Sequence, residues 1–277
     1  MTETEIASLA ISLIGGKSLT NIDTDTTPQA VSCRKWFDAT RDEVLASHPW
    51  NFAIKRARLT LTWNALSGVA LADNGSGEIR VTDTSHGLTT GQRIHMREVE
   101  GVPAANGTWY VTRIDADNFD LDDSVFTGTH SSGTGEWILA PLFGWDYQHT
   151  LPTNWKRIVA VNGYEANEND SIPYAIEENK LLCDADVVEL RYVDQITTTT
   201  SWTQTFINAF AHLLASYIAQ DLTGPAGKAA EMRQIYERLI APQARTQDSR
   251  QGKGRVIDPD YNAPVVQARR GFRYPRA

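Results

Sequence analysis

The chain has 277 residues, 41% hydrophobic and 22% charged, enough to bury a core in one large or two modest domains. No apolar run approaches the ~20 residues of a bilayer-spanning helix, and the acidic start Met1-Thr2-Glu3-Thr4-Glu5 lacks a basic leader, so synthesis in the cytoplasm and no membrane partner are expected. Net charge is −8, unevenly spread: from Ala241 onward eight basic residues face three acidic ones, a net of +5, leaving −13 on the residues before it. Such an asymmetry is expected of a tail that seeks a partner.

Thr2 to Glu5 has the spacing of a capping box. A helical stripe of Ile6, Leu9, Ala10 and Leu13 follows, ended by Gly15-Gly16. Thr27-Pro28 starts a second helix, with Ala30, Cys33, Trp36, Phe37, Val44 and Leu45 inward and Arg34, Lys35, Arg41 and Asp42 outward. It stops at His48-Pro49, because proline cannot donate to the helix ladder and biases its predecessor away from helical geometry. The two helices are expected to pack together.

Residues 66–139 have another texture. They are rich in Gly, Thr, Asp, Asn and Ser, with strands expected at 78–82, 93–98, 107–114 and 118–121 and turns at Asn74-Gly75, His86-Gly87, Thr90-Gly91 and Asn106-Gly107. Further short strands are expected at 155–162, 174–176, 180–183 and 187–193, with turns at Asn162-Gly163 and Glu178-Asn179. A third helix, capped by Ser201, carries Phe206, Ala209, Phe210, Leu213, Leu214, Tyr217 and Ile218, and Gly224-Pro225 breaks it. A fourth, from Ala226 to Ala241, would bury Ala229, Met232, Ile235, Tyr236, Leu239 and Ile240 before Pro242 closes it.

The fold class expected is α+β: a bundle of two N-terminal and two C-terminal helices with a small antiparallel sheet (1–65 and 140–244), an inserted all-β module (66–139), and an extended C-terminal arm (245–277).

Reactive chemistry is sparse. Gly15-Gly16-Lys17-Ser18 lacks the first glycine of a phosphate loop, where Ile11 stands, and follows a helix instead of a strand. The carboxylates of Asp115 to Asp123 miss the calcium-loop pattern, with Asp120 at the sixth position and Phe126 at the twelfth. His48, His86, His95, His130, His149 and His212 have no paired-ligand spacing, and His212 is expected to pack, hydrogen-bonded, near the apolar face of the third helix. Cys33 and Cys183 fit no metal or redox spacing and are expected as buried free thiols. No catalytic residue, cofactor or metal site is expected, and the chain is not expected to be an enzyme.

The run Cys33-Arg34-Lys35-Trp36-Phe37-Asp38-Ala39-Thr40-Arg41-Asp42-Glu43 continuing through His48-Pro49-Trp50-Asn51-Phe52-Ala53 resembles the N-terminal part of bacteriophage head-to-tail adaptor proteins of the tail tubular protein A type. The likeness extends to Phe143-Gly144-Trp145-Asp146-Tyr147-Gln148-His149-Thr150-Leu151-Pro152, to Tyr174-Ala175-Ile176-Glu177, to Leu181-Leu182-Cys183-Asp184 and to Arg191-Tyr192-Val193, with Asn154 where such proteins usually carry aspartate. Within the β segment, Ser85 to Gly91, Gly101-Val102, Asn106 to Val111 and Asp115 to Leu121 are similar to the small FCCH module of ubiquitin-activating enzymes, which recurs as an insertion in phage structural proteins.

The resemblance implies a virion protein at the head–tail junction, made in the host cytoplasm. It would form a ring, commonly of twelve copies, beneath the portal, extend the channel through which DNA passes without specific binding, and offer a platform to tail nozzle or fibre proteins. In that setting Arg255, Tyr261, Arg269, Arg270, Phe272, Arg273 and Tyr274 would bind the portal or a neighbouring copy, and Trp36, Trp50, Phe52, Trp145 and Tyr147 would anchor the core or a subunit interface. The alternatives are a DNA-binding virion protein that uses the arginine-rich arm on phosphates, and a tail- or fibre-attachment module.

Overall fold

A computed structural model describes residues 1–66, 71–162, 172–223 and 226–251. The protein is α+β. Its described residues divide into two compact units: one takes Met1–Ile54 and the residues from Gln195 onward, the other the residues between them. The small sheets of residues 147–194 therefore group with the β segment 66–139, and not with the helices as the sequence suggested.

The helical unit contains α1 (Glu3–Leu13), α2 (Pro28–Ser47), α3 (Gln204–Thr223), α4 (Ala226–Ile235) and α5 (Ala241–Ser249). Thr2 and Glu5 form the expected capping box, each side chain bonded to the other's backbone N–H, at 3.3 and 2.8 Å. At the far end Gly15 takes φ +80°, and the Gly16 N–H returns to the Ile11 carbonyl at 3.0 Å, a Schellman stop. Both N-terminal helices pack chiefly on α3 and only slightly on each other, and α3 also meets α4 and α5. The stripe Phe206, Ala209, Phe210, Leu213, Leu214 and Ile218 of α3 is buried, so α3 is the hydrophobic spine of this unit.

Five expectations for the helices need correction. Ser201 does not cap α3: it ends a 3₁₀ turn (Thr199–Ser201), and Thr203 Oγ1 accepts the Phe206 N–H instead, at 3.4 Å. Arg41 is only 6% exposed, held by Asp38 at 2.7 Å and Asp42 at 2.9 Å, because paired carboxylates let its guanidinium lie against the core. Nor does Pro242 end the C-terminal helix. A π turn (Tyr236–Ile240) precedes it, with the Ala241 N–H reaching the Tyr236 carbonyl, and the widened turn accommodates a residue that has no N–H to offer. The extra residue in that turn rotates the stripe, which leaves Leu239 63% exposed where burial was expected. Residues 245–249, assigned above to the arm, are helical.

Among the described residues the second unit is all β apart from a 3₁₀ turn (Pro103–Ala105). Its strands are β1 (Ile54–Thr60), β2 (Asn64–Ala65), β3 (Leu71–Asp73), β4 (Ile79–Thr82), β5 (Arg93–Arg97), β6 (Gly107–Arg113), β7 (Asn118–Leu121), β8 (Glu136–Ala140), β9 (Tyr147–Thr150), β10 (Trp155–Val161), β11 (Ala175–Glu177), β12 (Lys180–Cys183) and β13 (Val187–Asp194). A seven-stranded sheet runs β2-β8-β5-β6-β7-β4-β3, and two three-stranded sheets run β1-β13-β10 and β11-β12-β9.

In the large sheet β6 serves two neighbours in succession. Gly107–Tyr110 pair with β5 and Val111–Arg113 with β7, so the sheet turns at β6 around one core of Ile79, Ile94, Met96, Val111, Phe119, Leu121 and Trp137. Trp137 sends its N–H to Asp83 Oδ2 at 2.8 Å, which satisfies the polar edge of a buried ring. The carboxylates near Asp115 are turn chemistry: Asp115 Oδ1 accepts the backbone N–H groups of Asp117 and Asn118, both at 2.8 Å, between β6 and β7. Glu178 and Asn179, at φ +46° and +62°, join β11 to β12 in the left-handed pair that a two-residue hairpin requires. Asn162 is left-handed too, at φ +52°, while its expected turn partner Gly163 lies outside the described residues.

Candidate interaction surface

Among the described residues no group of three or more His, Cys, Asp or Glu side chains is placed to hold a metal, and no helix is long and apolar enough to cross a membrane. Both cysteines are free and buried, and burial pushes the Cys33 thiol up to about 12. His212 bonds the Asn208 carbonyl at 2.8 Å and is only partly buried. What the molecule offers is a set of fixed aromatic anchors, and the sequence-named residues fall into three groups.

Trp50 and Phe52 belong to the core of the helical unit. Pro49 has no N–H to offer the Leu45 carbonyl, so the α2 ladder stops there. Trp50 Nε1 folds back on the last turn and donates to the Val44 carbonyl at 2.7 Å, which Ser47 Oγ also reaches at 2.8 Å. Its ring meets Phe206 edge-on at 5.2 Å, and Phe52 meets the same ring at 5.0 Å. Asp248 of α5 completes this corner and is 1% exposed: it takes the Asn51 backbone N–H at 3.1 Å and the His48 Nε2–H at 3.2 Å, while its own carbonyl accepts from Asn51 Nδ2. The His48-Pro49-Trp50-Asn51 turn thus ties down the last helix before residue 252.

Trp36 is half-buried. It stacks on Tyr217 of α3 with centroids 4.8 Å apart and planes 10° apart, and donates from Nε1 to Asp221 at 3.0 Å. Hydrogen bonds from Trp36 and Ser32 hold the Asp221 carboxyl below the usual carboxylate range. Tyr217 donates to Glu43 at 2.5 Å, and Arg233 of α4 pairs with Glu43 at 3.3 Å and Glu237 at 2.7 Å. The anchors Trp36 and Tyr217 thus knit three helices together.

Trp145 and Tyr147 lie in the β unit, at the stretch between β8 and β9. Arg93 of β5 donates from Nη1 to the Pro141 carbonyl at 3.1 Å and the Trp145 carbonyl at 2.7 Å, and Tyr110 donates to the Leu142 carbonyl at 2.7 Å. Tyr147 meets the His95 ring at 5.6 Å, and its hydroxyl is pushed up by burial and by the nearby Asp186 and Asp146 charges. Beside them opens a cleft of about 520 Å³ lined by Leu139, Leu142, Phe143, Trp145, Glu177 and Leu182, among others.

The arm residues Arg255, Tyr261, Arg269, Arg270, Phe272, Arg273 and Tyr274 all lie outside the described residues. Sequence reasoning passed over Asp248, Arg93 and Tyr110. Asp248 gives no signal, because its partners lie about 200 positions away, while Arg93 and Tyr110 stand in an alternation that marks a strand but not what its ends will hold. No protein-family model matches the chain, and no curated protein is similar to it.

Proposed function

We propose that the protein is a structural part of a bacteriophage virion: a subunit of the head-to-tail adaptor ring that docks under the portal and extends the DNA channel. On this reading the helices form the ring-building bundle, the seven-stranded sheet is an inserted module open to tail components, and residues 252–277 are the docking arm. The observation that carries it is that the N-terminal stretch of the resemblance, Cys33–Ala53, lies in one tightly bonded local unit. Helix α2, its Pro49 stop and the Trp50–Asn51 turn are held together, and through Asp248 they fix where the basic C-terminal segment departs. Supporting it, the charge of the chain before Ala241 is strongly negative, which suits a wall past which DNA must move without sticking.

The test is to mix the purified protein with its cognate portal ring, with and without residues 252–277, and weigh the products by native mass. Stoichiometric docking that is lost on truncation is the expected result. Failure of both forms to bind, with steep salt-dependent binding to random duplex DNA instead, would replace this reading by the DNA-binding one. The cut belongs after Gln251, beyond α5, since one made before residue 249 removes the buried Asp248 and tests folding instead of docking.

A further inference from the structure

The stretch Pro141–Asp146 is fixed at its backbone yet keeps its own apolar side chains in water. Arg93 and Tyr110 bind three of its carbonyls, Arg93 Nη2 lies 3.6 Å from the Asp146 carboxylate, and Gly144 takes φ +81°. Leu142 is nevertheless 53% exposed and Phe143 80% exposed. A rigid turn that presents an aromatic ring to solvent has already met the ordering cost of association, which is the property of a binding anchor.

The adjoining cleft has an apolar floor of Leu139, Ala140 and Leu182, with Trp145 beside it, and its volume of about 520 Å³ lies within the range of small binding sites. Its two cations are engaged: Arg93 as described, and Lys180 with Gln148 Oε1 at 3.1 Å. Its two carboxylates, Glu177 and Glu178 at the tip of the β11–β12 hairpin, are exposed and meet no cation among the described residues. The cleft therefore calls for aromatic rings flanked by cations.

The chain itself carries that chemistry in Arg269-Arg270-Gly271-Phe272-Arg273-Tyr274, within a 26-residue stretch after Gln251 that holds six basic and two acidic residues. Fully extended, such a stretch reaches roughly 85 Å, wider than a folded domain of this size. We propose that the cleft beside Phe143 in one copy receives the Arg269–Tyr274 segment of a second copy, with Phe272 or Tyr274 against Phe143 and Trp145 and arginines on Glu177 and Glu178. Each copy then gives one segment and takes one, a heterologous contact of the kind that closes rings. The choice of a second copy rests on the ring-forming reading above; the fit between cleft and segment does not.

The test uses full-length chains: a cleft variant (Glu177→Lys with Glu178→Lys), a segment variant (Arg270→Glu with Arg273→Glu) and the unaltered protein, weighed by sedimentation velocity in low salt. The unaltered protein is expected to assemble and each variant alone to remain monomeric. An equimolar mixture of the two variants should stop at a one-to-one dimer, because only one junction works. Phe143→Asp, at a position too exposed to matter for folding, should weaken assembly by roughly tenfold or more. A monomeric unaltered protein, or assembly by either charge variant as strong as that of the unaltered protein, overturns the proposal. Portal binding plays no part in this readout, so the fate of the adaptor reading and of the exchanged segment are decided separately.

Discussion

His48 and Asp248 stand 200 positions apart in the chain and meet at 3.2 Å, with the carboxylate also taking the Asn51 backbone N–H. One buried acid thus fastens the end of α5 to the turn that ends α2. Asp248→Ala would leave the His48 and Asn51 donors of this part-buried corner without their acceptor, at a cost of about 1–3 kcal/mol. A drop of that size in the urea unfolding free energy of the helical unit is expected. Asp248→Asn keeps one acceptor and should lose less.

Gly101 tests the β unit. Its φ is +80°, and a Cβ built on it would lie 1.8 Å from the Thr129 carbonyl oxygen, which is backbone and cannot step aside. Gly101→Ala should cost about 3 kcal/mol or more, from left-handed strain and a forced backbone shift together. Thermal unfolding followed by tryptophan fluorescence would measure it. Gly75, at φ +95° with nothing within 4 Å of where a Cβ would stand, should lose far less when changed to Ala.

His149 sets a pH dependence. Its Nε2–H is committed to the Ala185 carbonyl at 2.8 Å, Nδ1 is buried without a partner among the described residues, and burial holds the imidazole below its ordinary value. The unfolded chain takes up the proton near 6.5 and the folded chain only at lower pH. Stability should therefore fall as pH drops below 6.5 and level off beneath the folded value, with a slope of at most about 1.4 kcal/mol per pH unit. His95 is lowered as well, mainly by burial. His149→Gln should therefore flatten the melting-temperature curve between pH 7 and 5 without making it level.

Arg93→Lys addresses the turn that presents Phe143. An ammonium cannot span the Pro141 and Trp145 carbonyls as the guanidinium does. Local opening of 141–146 should become easier by roughly 1–2 kcal/mol, read as about tenfold faster amide hydrogen exchange there, with exchange in β4 and β7 unchanged.

Much of the local structure was legible in the residues. The capping box at Thr2, the glycine stop at Gly15-Gly16 and the left-handed Glu178-Asn179 turn each need only a few adjacent positions, and each formed as expected. The β1, β2, β3, β8 and β9 strands were missed. Of these, β2 and β3 are only two and three residues long, and β1 and β9 carry polar runs such as Lys55-Arg56 and Gln148-His149-Thr150. Strand β8, though mostly apolar, lacks alternation, so only pairing with other strands makes these segments regular. The π turn before Pro242 escaped for a related reason: a proline reads locally as a stop, and the packing of α5 overrides it. Of the anchor residues, the tryptophans were visible as types. Whether each served core or surface depended on partners such as Phe206, Tyr217 and Arg93, which no sequence window contains.

The division of the chain also bears on how the protein is made. Helices α1 and α2 leave the ribosome first, yet the surface they bury belongs to α3, which begins only at Gln204. At roughly 5–20 residues per second, the intervening β unit takes many seconds to synthesise. During that interval Ile6, Ile11, Phe37 and Leu45 have no partner helix to cover them, while the β strands can already pair among themselves. A nascent chain stalled before residue 204 would therefore carry a folded middle and an N-terminal helical pair open to chaperones, and any disturbance of β-unit folding would lengthen that exposure.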